Sequence, residues 1–352
     1  MIAEFIGPDD AKWANFLSNA RHDFYHLPEY VRFAAQYEGG EPLAFWAQDG
    51  DSTCLIPLIR RPLPRFLAAP PEWADVCSPY GYATPLVLPA AQALERFLPA
   101  FIDLGKQSNI ISSFLRMHPL LPLSLKGASD FGELVTHGET VVIDLTQPCE
   151  ALWGQTRKNH RTGINKLLRL GFEAEINNWE RFEDFKTIYW QTMSRVEAVE
   201  YYQFTDAYFD GLRAALQDKL SLCSILAPTG EVAAAGLFTT CNGLVEFHLA
   251  GTSEKYLNVA PTKLMFDFVR RWGKELGCQL FHLGGGVGGA ADQLFHFKAG
   301  FSELRRPFHT LRLIQDHDRY QKLCIKVGSI AGNSGLEGET YFPCYRRSGI
   351  SV

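Results

Sequence analysis

His282-Leu-Gly-Gly-Gly-Val-Gly-Gly-Ala-Ala-Asp292-Gln-Leu-Phe-His-Phe297-Lys298-Ala-Gly300-Phe301 decides how this chain is read. Its glycines follow an apolar run from Leu280 to Leu283. Glycine after a strand permits positive φ and lets a ligand approach the backbone. A helical segment is expected next, Ala291 to Ala299, with Lys298 set among Phe295, Phe297 and Phe301. In so apolar a setting an ammonium acts strongly on an anion, because the local dielectric is low. A glycine-rich connection leading into a helix with core aromatics accounts for the same residues. The glycines make no dinucleotide fingerprint, since no long helix and acidic residue follow them. The chain also lacks a Gly-x-Ser-x-Gly elbow, so a covalent acyl-enzyme is not expected.

Outward from this stretch, the pattern is mixed. Three strands are expected at Leu220 to Ala227, Val232 to Thr240 and Leu244 to Ala250. Pro228-Thr229-Gly230 and Asn242-Gly243 are turn signals, which makes the three an antiparallel meander. A helix from Pro261 to Leu276, stopped by Gly277, precedes the strand ending at Leu283. Upstream, Cys149 to Leu170 reads as one long basic helix, followed by helices over Trp179 to Val199 and Asp206 to Leu216. The first half offers helices at Asp10 to Ala20 and Pro28 to Tyr37 and a hairpin turning at Asp49-Gly50-Asp51. A helix over Ala90 to Lys106 and strands at Ile110 to Met117 and Thr140 to Leu145 complete it. Domains are expected at 1–147 and 148–320, with 321–352 a peripheral, partly mobile tail.

With 352 residues the chain exceeds one usual core. Its apolar runs are too short to span a membrane, and its N-terminus lacks the pattern of a secretion signal. Eight cysteines without a Cys-x-x-Cys pair argue against a zinc cage or disulfide framework and for a reducing cytoplasm. A net charge of -5 excludes a general nucleic-acid coater, so any polyanion must meet a local patch. Arg157, Lys158 and Arg161 form such a patch, with Arg270, Arg271 and Lys274, and then Arg305 and Arg306, as further clusters. The same residues fit a solvated helix face.

The order helix, helix, three antiparallel strands, helix, strand, helix, strand resembles the GNAT acyltransferase fold. Two such units in tandem resemble the Fem family of aminoacyl-tRNA-dependent peptidyl transferases and the broader FemAB-like acyltransferases. The resemblance rests on Ser78-Pro-Tyr80-Gly81-Tyr82, on Trp153 with Arg157-Lys-Asn-His-Arg161, on Thr192-Met193 with Tyr201, Tyr202 and Phe204, and on Asp292 with Phe297-Lys298-x-Gly300-Phe301. It implies an α+β fold of tandem, mostly antiparallel split sheets flanked by helices. It implies an acyltransferase in which Lys298 steadies the oxyanion and Asp292 serves catalysis. Substrate would meet Phe297, Phe301, Tyr80, Tyr82, Tyr201 and Tyr202. Glu246 and His248, two apart on an expected strand, point to one face and join the substrate residues. Together with Asp292 and His282 they are the possible proton acceptors, and each also fits an ordinary structural role.

The donor divides two readings. GNAT acetyltransferases cradle the coenzyme A pyrophosphate on a glycine-rich loop at a helix N-terminus. Here that place reads Glu254-Lys-Tyr-Leu-Asn-Val-Ala-Pro261-Thr-Lys263, without glycine. The departure favours aminoacyl-tRNA over acyl-CoA. Where some Fem enzymes hold a muropeptide's nucleotide with lysine stands Ala34, so a small amine or peptide, as in peptide-type natural-product assembly, is read as an acceptor beside a cell-wall precursor. No metal, cofactor or DNA is expected.

Overall fold

The computed structural model describes residues 1–90, 93–330 and 341–347. The chain runs through β1 (Ile2–Ile6), α1 (Ala11–Asn19), α2 (Pro28–Glu38), β2 (Glu41–Asp49), β3 (Ser52–Pro62), β4 (Ala74–Cys77), β5 (Leu86–Leu88), α3 (Leu98–Gln107) and β6 (Ile110–Arg116). There follow β7 (Glu133–Asp144), α4 (Cys149–Gln155), α5 (Lys158–Arg169), β8 (Glu173–Ile176), α6 (Phe182–Arg195), α7 (Asp206–Leu216), β9 (Leu220–Leu226), β10 (Val232–Cys241) and β11 (Leu244–Thr252). The remainder is α8 (Thr262–Glu275), β12 (Leu280–Gly284), α9 (Gln293–Lys298), β13 (Arg305–Ile314) and α10 (His317–Ile330).

Two compact units result: Met1–Thr136 with Phe308–Val352, and His137–Pro307. In the first, strand order is β1-β2-β3-β4-β6-β13, with β5 on β3. In the second it is β7-β12-β11-β10-β9-β8. Each sheet is antiparallel except for one pair, β4 with β6 and β11 with β12. The strand that follows β6 in sequence pairs with β12, and the strand that follows β12 pairs with β6. This exchange moves the expected boundary. Pro148 looked like the punctuation, yet the units part inside β7, a continuous strand marked there by Gly138 alone, at φ +146°.

In the second unit α8 packs on β8, β9 and β10, and α5 packs on α8, while α6 covers β10 and β11. The core gathers Ile164 and Leu167 of α5, Leu264, Met265, Phe266 and Val269 of α8, and Phe238, Val245, Phe281 and Leu283 of the sheet. The β10–β11 turn is as expected: Asn242 and Gly243 both take positive φ, the requirement of the tight turn that matches strand twist.

Several expectations are corrected. The long basic helix is broken into α4 and α5, because Thr156 and Arg157 are extended and the Arg157 N–H donates to Gly300 O at 2.7 Å. β1 and β8 had no reading; β8 is short and half-charged, and β1 lies at the chain's start. The tail is not peripheral where it is described. Leu323 and Val327 of α10 and Tyr345 are buried with Leu67 and Ile111, and Cys324 is joined to Cys344 by a disulfide, a pair twenty residues apart that no motif announces. Residues 331–340 and 348–352 lie outside the described residues. No described helix is long and apolar enough to cross a membrane.

Tyr345 tests the tail. Its hydroxyl lies 2.6 Å from Ser112 Oγ, and both residues are buried. Removing only that hydroxyl strands a buried partner, which costs ~1–3 kcal/mol. Tyr345→Phe should therefore lower unfolding free energy by about that amount in a urea melt, and Tyr345→Ala by more. An unchanged midpoint in Tyr345→Ala would return the tail to the surface.

Candidate functional site

The second unit's sheet opens between β11 and β12. These strands pair only over Leu244–Glu246 and Leu280–His282, after which β11 runs on to Thr252 against β10 but no longer against β12. A bulge in the β10–β11 ladder, between Leu237 and Phe238, leaves His248 as the extra residue. Bulges of this kind re-aim side chains and end pairing. On the other edge, the β12–β7 ladder slips between His282 and Gly284. The chain then passes through Gly289, whose φ is +84° and whose missing side chain leaves room for His137 O.

Lys298, on the last turn of α9, sits beneath this turn. It is 5% exposed. Its Nζ donates to Gly285 O at 2.6 Å and lies 5.2 Å from the centre of the Phe247 ring. Burial pulls its pKa down to about 8, opposed by the charges of Asp292 and Glu246. Asp292 itself is the N-cap of α9: its carboxylate accepts from Phe295 N at 2.8 Å and Val287 N at 2.9 Å. Burial works to raise its pKa. The backbone donors and Lys298 outweigh that and hold it below the usual carboxylate range. A carboxylate so engaged is a poor proton acceptor, so Asp292 is placed as a structural cap.

Glu246 is paired with His282. The two are register partners on β11 and β12. His282 Nδ1 lies 2.7 Å from Glu246 Oε2, and both side chains are buried. The bulge breaks the alternation that had put His248 beside Glu246. Burial holds the pKa of His248 at about 4, so it is neutral.

The two phenylalanines differ in kind. Phe297 is half-buried. Phe301 is 1% exposed and belongs to the core, packing on Phe266, which removes it as a surface for substrate. Both meet His160 of α5, which stacks on Phe301 at 4.8 Å and stands edge-on to Phe297 at 5.2 Å. His160 had no assigned role in the sequence. The signal was Gly300: a Cβ there would lie 2.0 Å from His160 Cε1.

The basic residues separate. Arg157 and Lys158 are exposed where α5 begins, and Arg161 is half-exposed one turn on. Lys263 joins them from α8, its chain 3.1 Å from where a Gly163 Cβ would be. Arg305 is bound to its own loop, donating to Ser302 O at 2.8 Å and Leu304 O at 3.1 Å. Arg270 is buried, paired with Asp267 and bonded to Leu152 O and Thr156 Oγ1. Lys274 donates to Leu145 O and Gln147 O. These three are engaged within the fold, while Arg271 and Arg306 stay exposed, as do Arg157 and Lys158 where α5 begins. Tyr201 is exposed and Tyr202 half-buried, after α6. Tyr80 and Tyr82 belong to the first unit, where Tyr82 stands edge-on to Tyr25, His118 and Phe308.

Residues 154–298 match the family model of the acetyltransferase (GNAT) domain. No curated protein matches the chain in sequence. Among solved structures, FemX superposes with a TM-score of 0.68 at 12% identity, covering 91% of this chain and 99% of its own. L-PGS from Bacillus licheniformis superposes with a TM-score of 0.55 at 16% identity, covering 92% and 98%. The C-terminal domain (DUF2156) of a putative lysylphosphatidylglycerol synthetase from Agrobacterium fabrum gives 0.56 at 12% identity, covering 94% and 99%. The fold is therefore the Fem-like, GNAT-type one.

Gly300 should tolerate no side chain. Overpacking a filled core commonly costs ~1–3 kcal/mol, and Gly300→Ala must push His160 out of its stack. The expected result is a loss of that size in a denaturant melt. A neutral substitution would show that the ring has room to move.

Proposed function

We propose that this chain is an acyltransferase that forms an amide by direct attack of an amine on an activated aminoacyl ester carried by tRNA. The observation that supports this most is the buried ammonium of Lys298 at the opening of a GNAT-type sheet. Attack on the carbonyl puts negative charge on its oxygen, and a fixed cation in a dry site stabilises that charge without reorganising. Loss of one such donor typically costs ~100- to 1,000-fold in rate. The amine's proton passes to the leaving ester oxygen or to the substrate. Phe297 shapes the pocket wall, and Arg157, Lys158 and Lys263 meet donor phosphates.

The start of α8 bears on the donor. A helix N-terminus that cradles pyrophosphate must offer free N–H groups. Here Pro261 has none, Lys263 N donates to Ala260 O, and Leu264 N and Met265 N donate to Pro261 O. The approach is a six-residue 3-10 turn, Glu254–Val259, in place of a glycine loop. Coenzyme A thus finds few donors there. The match to an acetyltransferase domain keeps an acyl-CoA donor as the second reading. The acceptor is a small amine or a peptide amine.

The discriminating experiment offers aminoacyl-tRNA and acetyl-CoA in parallel with candidate amines. Amine-dependent deacylation of the tRNA supports the proposal, and release of free thiol alone moves the donor to coenzyme A. Response to neither, with ligand-induced thermal stabilisation, makes the chain a binding module. Lys298→Met should reduce transfer by ~100-fold or more while leaving the fold intact; unchanged turnover removes the lysine from the site.

The pH profile gives the sign of the lysine's role. Lys298 is a cation below about 8 and neutral above it. An oxyanion-stabilising ammonium therefore predicts that transfer falls as pH rises through that value. If the neutral amine were instead the base, transfer would rise there. The same lowered value means the unfolded chain binds the extra proton between about 8 and 10.5, so stability should increase with pH across that window.

A further inference from the structure

Three elements meet at the ring of His160, whose role in the site rests on the acyl-transfer reading. The ring belongs to the first turn of α5, lies flat on Phe301 with 12° between the planes, and stands at 86° to Phe297. Phe297 and Phe301 both pack on Phe266 of α8. The ring is 3% exposed, and its Nδ1 is buried without a hydrogen-bond partner among the described residues. A polar nitrogen left so is costly, so the position is held by shape. Gly300 agrees with this, since only the absence of a side chain admits the ring. One residue before α5, the Arg157 N–H bonds Gly300 O at 2.7 Å, and its guanidinium reaches His296 O at 3.4 Å.

The cationic start of α5 is thus fastened to the two ends of the segment that bears Lys298. We infer that His160 is a positioning residue: it locks the Phe297-Lys298-x-Gly300-Phe301 segment to the α5 surface that receives donor phosphates, and so fixes the Lys298 ammonium under the sheet opening. The imidazole acts by stacking, as a neutral ring. Burial, with the nearby Lys263 and Arg157 charges, holds its pKa at about 4, which keeps it uncharged at neutral pH.

The test reads Lys298 directly. In the full chain with ¹⁵N-labelled lysine, the Lys298 Nζ signal is assigned by its loss in Lys298→Met and titrated with no substrate present. His160→Ala should loosen the lysine's surroundings, admit water and move its titration midpoint upward by about one unit, toward the ordinary lysine value. His160→Phe keeps the stack and should hold the wild-type midpoint. Ile164→Val, one turn along α5 in the same core, should also leave it unchanged. Where transfer is measurable, His160→Ala should lower kcat by ~100-fold with little change in donor KM, as expected for a misplaced group, and His160→Phe should restore it. A folded His160→Ala with an unmoved midpoint overturns the inference, as does a His160→Phe displaced as far as His160→Ala. If His160→Ala does not fold, the midpoint of His160→Phe decides by the same rule. A chain that transfers nothing still gives the titration, so failure of the proposed reaction and failure of this inference are told apart.

Discussion

An ammonium has been taken out of water at Lys298, and the surrounding unit is built around that cost. A lone buried charge is among the least favourable things a fold can contain. The structure offsets it with a carbonyl, an aromatic face and two carboxylates. Gly285 O is available because a glycine-rich turn bends the backbone back over the lysine. The Phe247 ring lies within cation–π range because β11 continues past the end of its pairing with β12. Asp292 adds its charge from the other end of the same short helix. The compensation is partial, since the pKa stays depressed. An incompletely satisfied cation retains affinity for further negative charge, which is what an oxyanion brings.

The constraint then propagates outward. α9 is six residues long, too short to hold its own position by helix propensity. Its N-terminus is fixed by the Asp292 cap and its C-terminus by the His160 stack and the Arg157–Gly300 bond. The break between α4 and α5 belongs to the same arrangement, because a continuous helix would leave the Arg157 N–H bonded within the helix and unable to reach Gly300. A helix break that reads as an irregularity in α5 is thus a condition for the placement of Lys298.

This explains what was legible in the sequence. The meander β9–β11 was, since alternation and the Asn242-Gly243 turn are local signals. The lysine among phenylalanines was, as a pattern. The pairing of Glu246 with His282 was not, because it depends on the register of two strands 36 residues apart. Arg270 and Lys274 looked like phosphate ligands because charge is visible in a sequence and burial is not. The exchange of β7 and β13 was missed for a similar reason: Pro148 and the Gly-rich tail are strong punctuation, while the break inside β7 is marked by a single glycine, Gly138, at φ +146°. Phe301 shows the same limit in small, an aromatic whose neighbours suggested a pocket and whose contacts are core.

Proton accounting narrows the chemistry further. Asp292 is spent on backbone N–H groups and shifted toward acid. His160 and His248 both sit near 4, so neither is an imidazolium at neutral pH. Of these four groups only Lys298 has a value close to neutrality, about 8. A group with that value is still largely protonated at neutral pH, so it can remain a cation beside the oxyanion while the amine's proton passes to the departing ester oxygen. Under the proposed reaction, this side chain carries the electrostatic load. That is consistent with a site in which Asp292 is committed to holding the lysine's helix and His160 and His248 are kept neutral by burial.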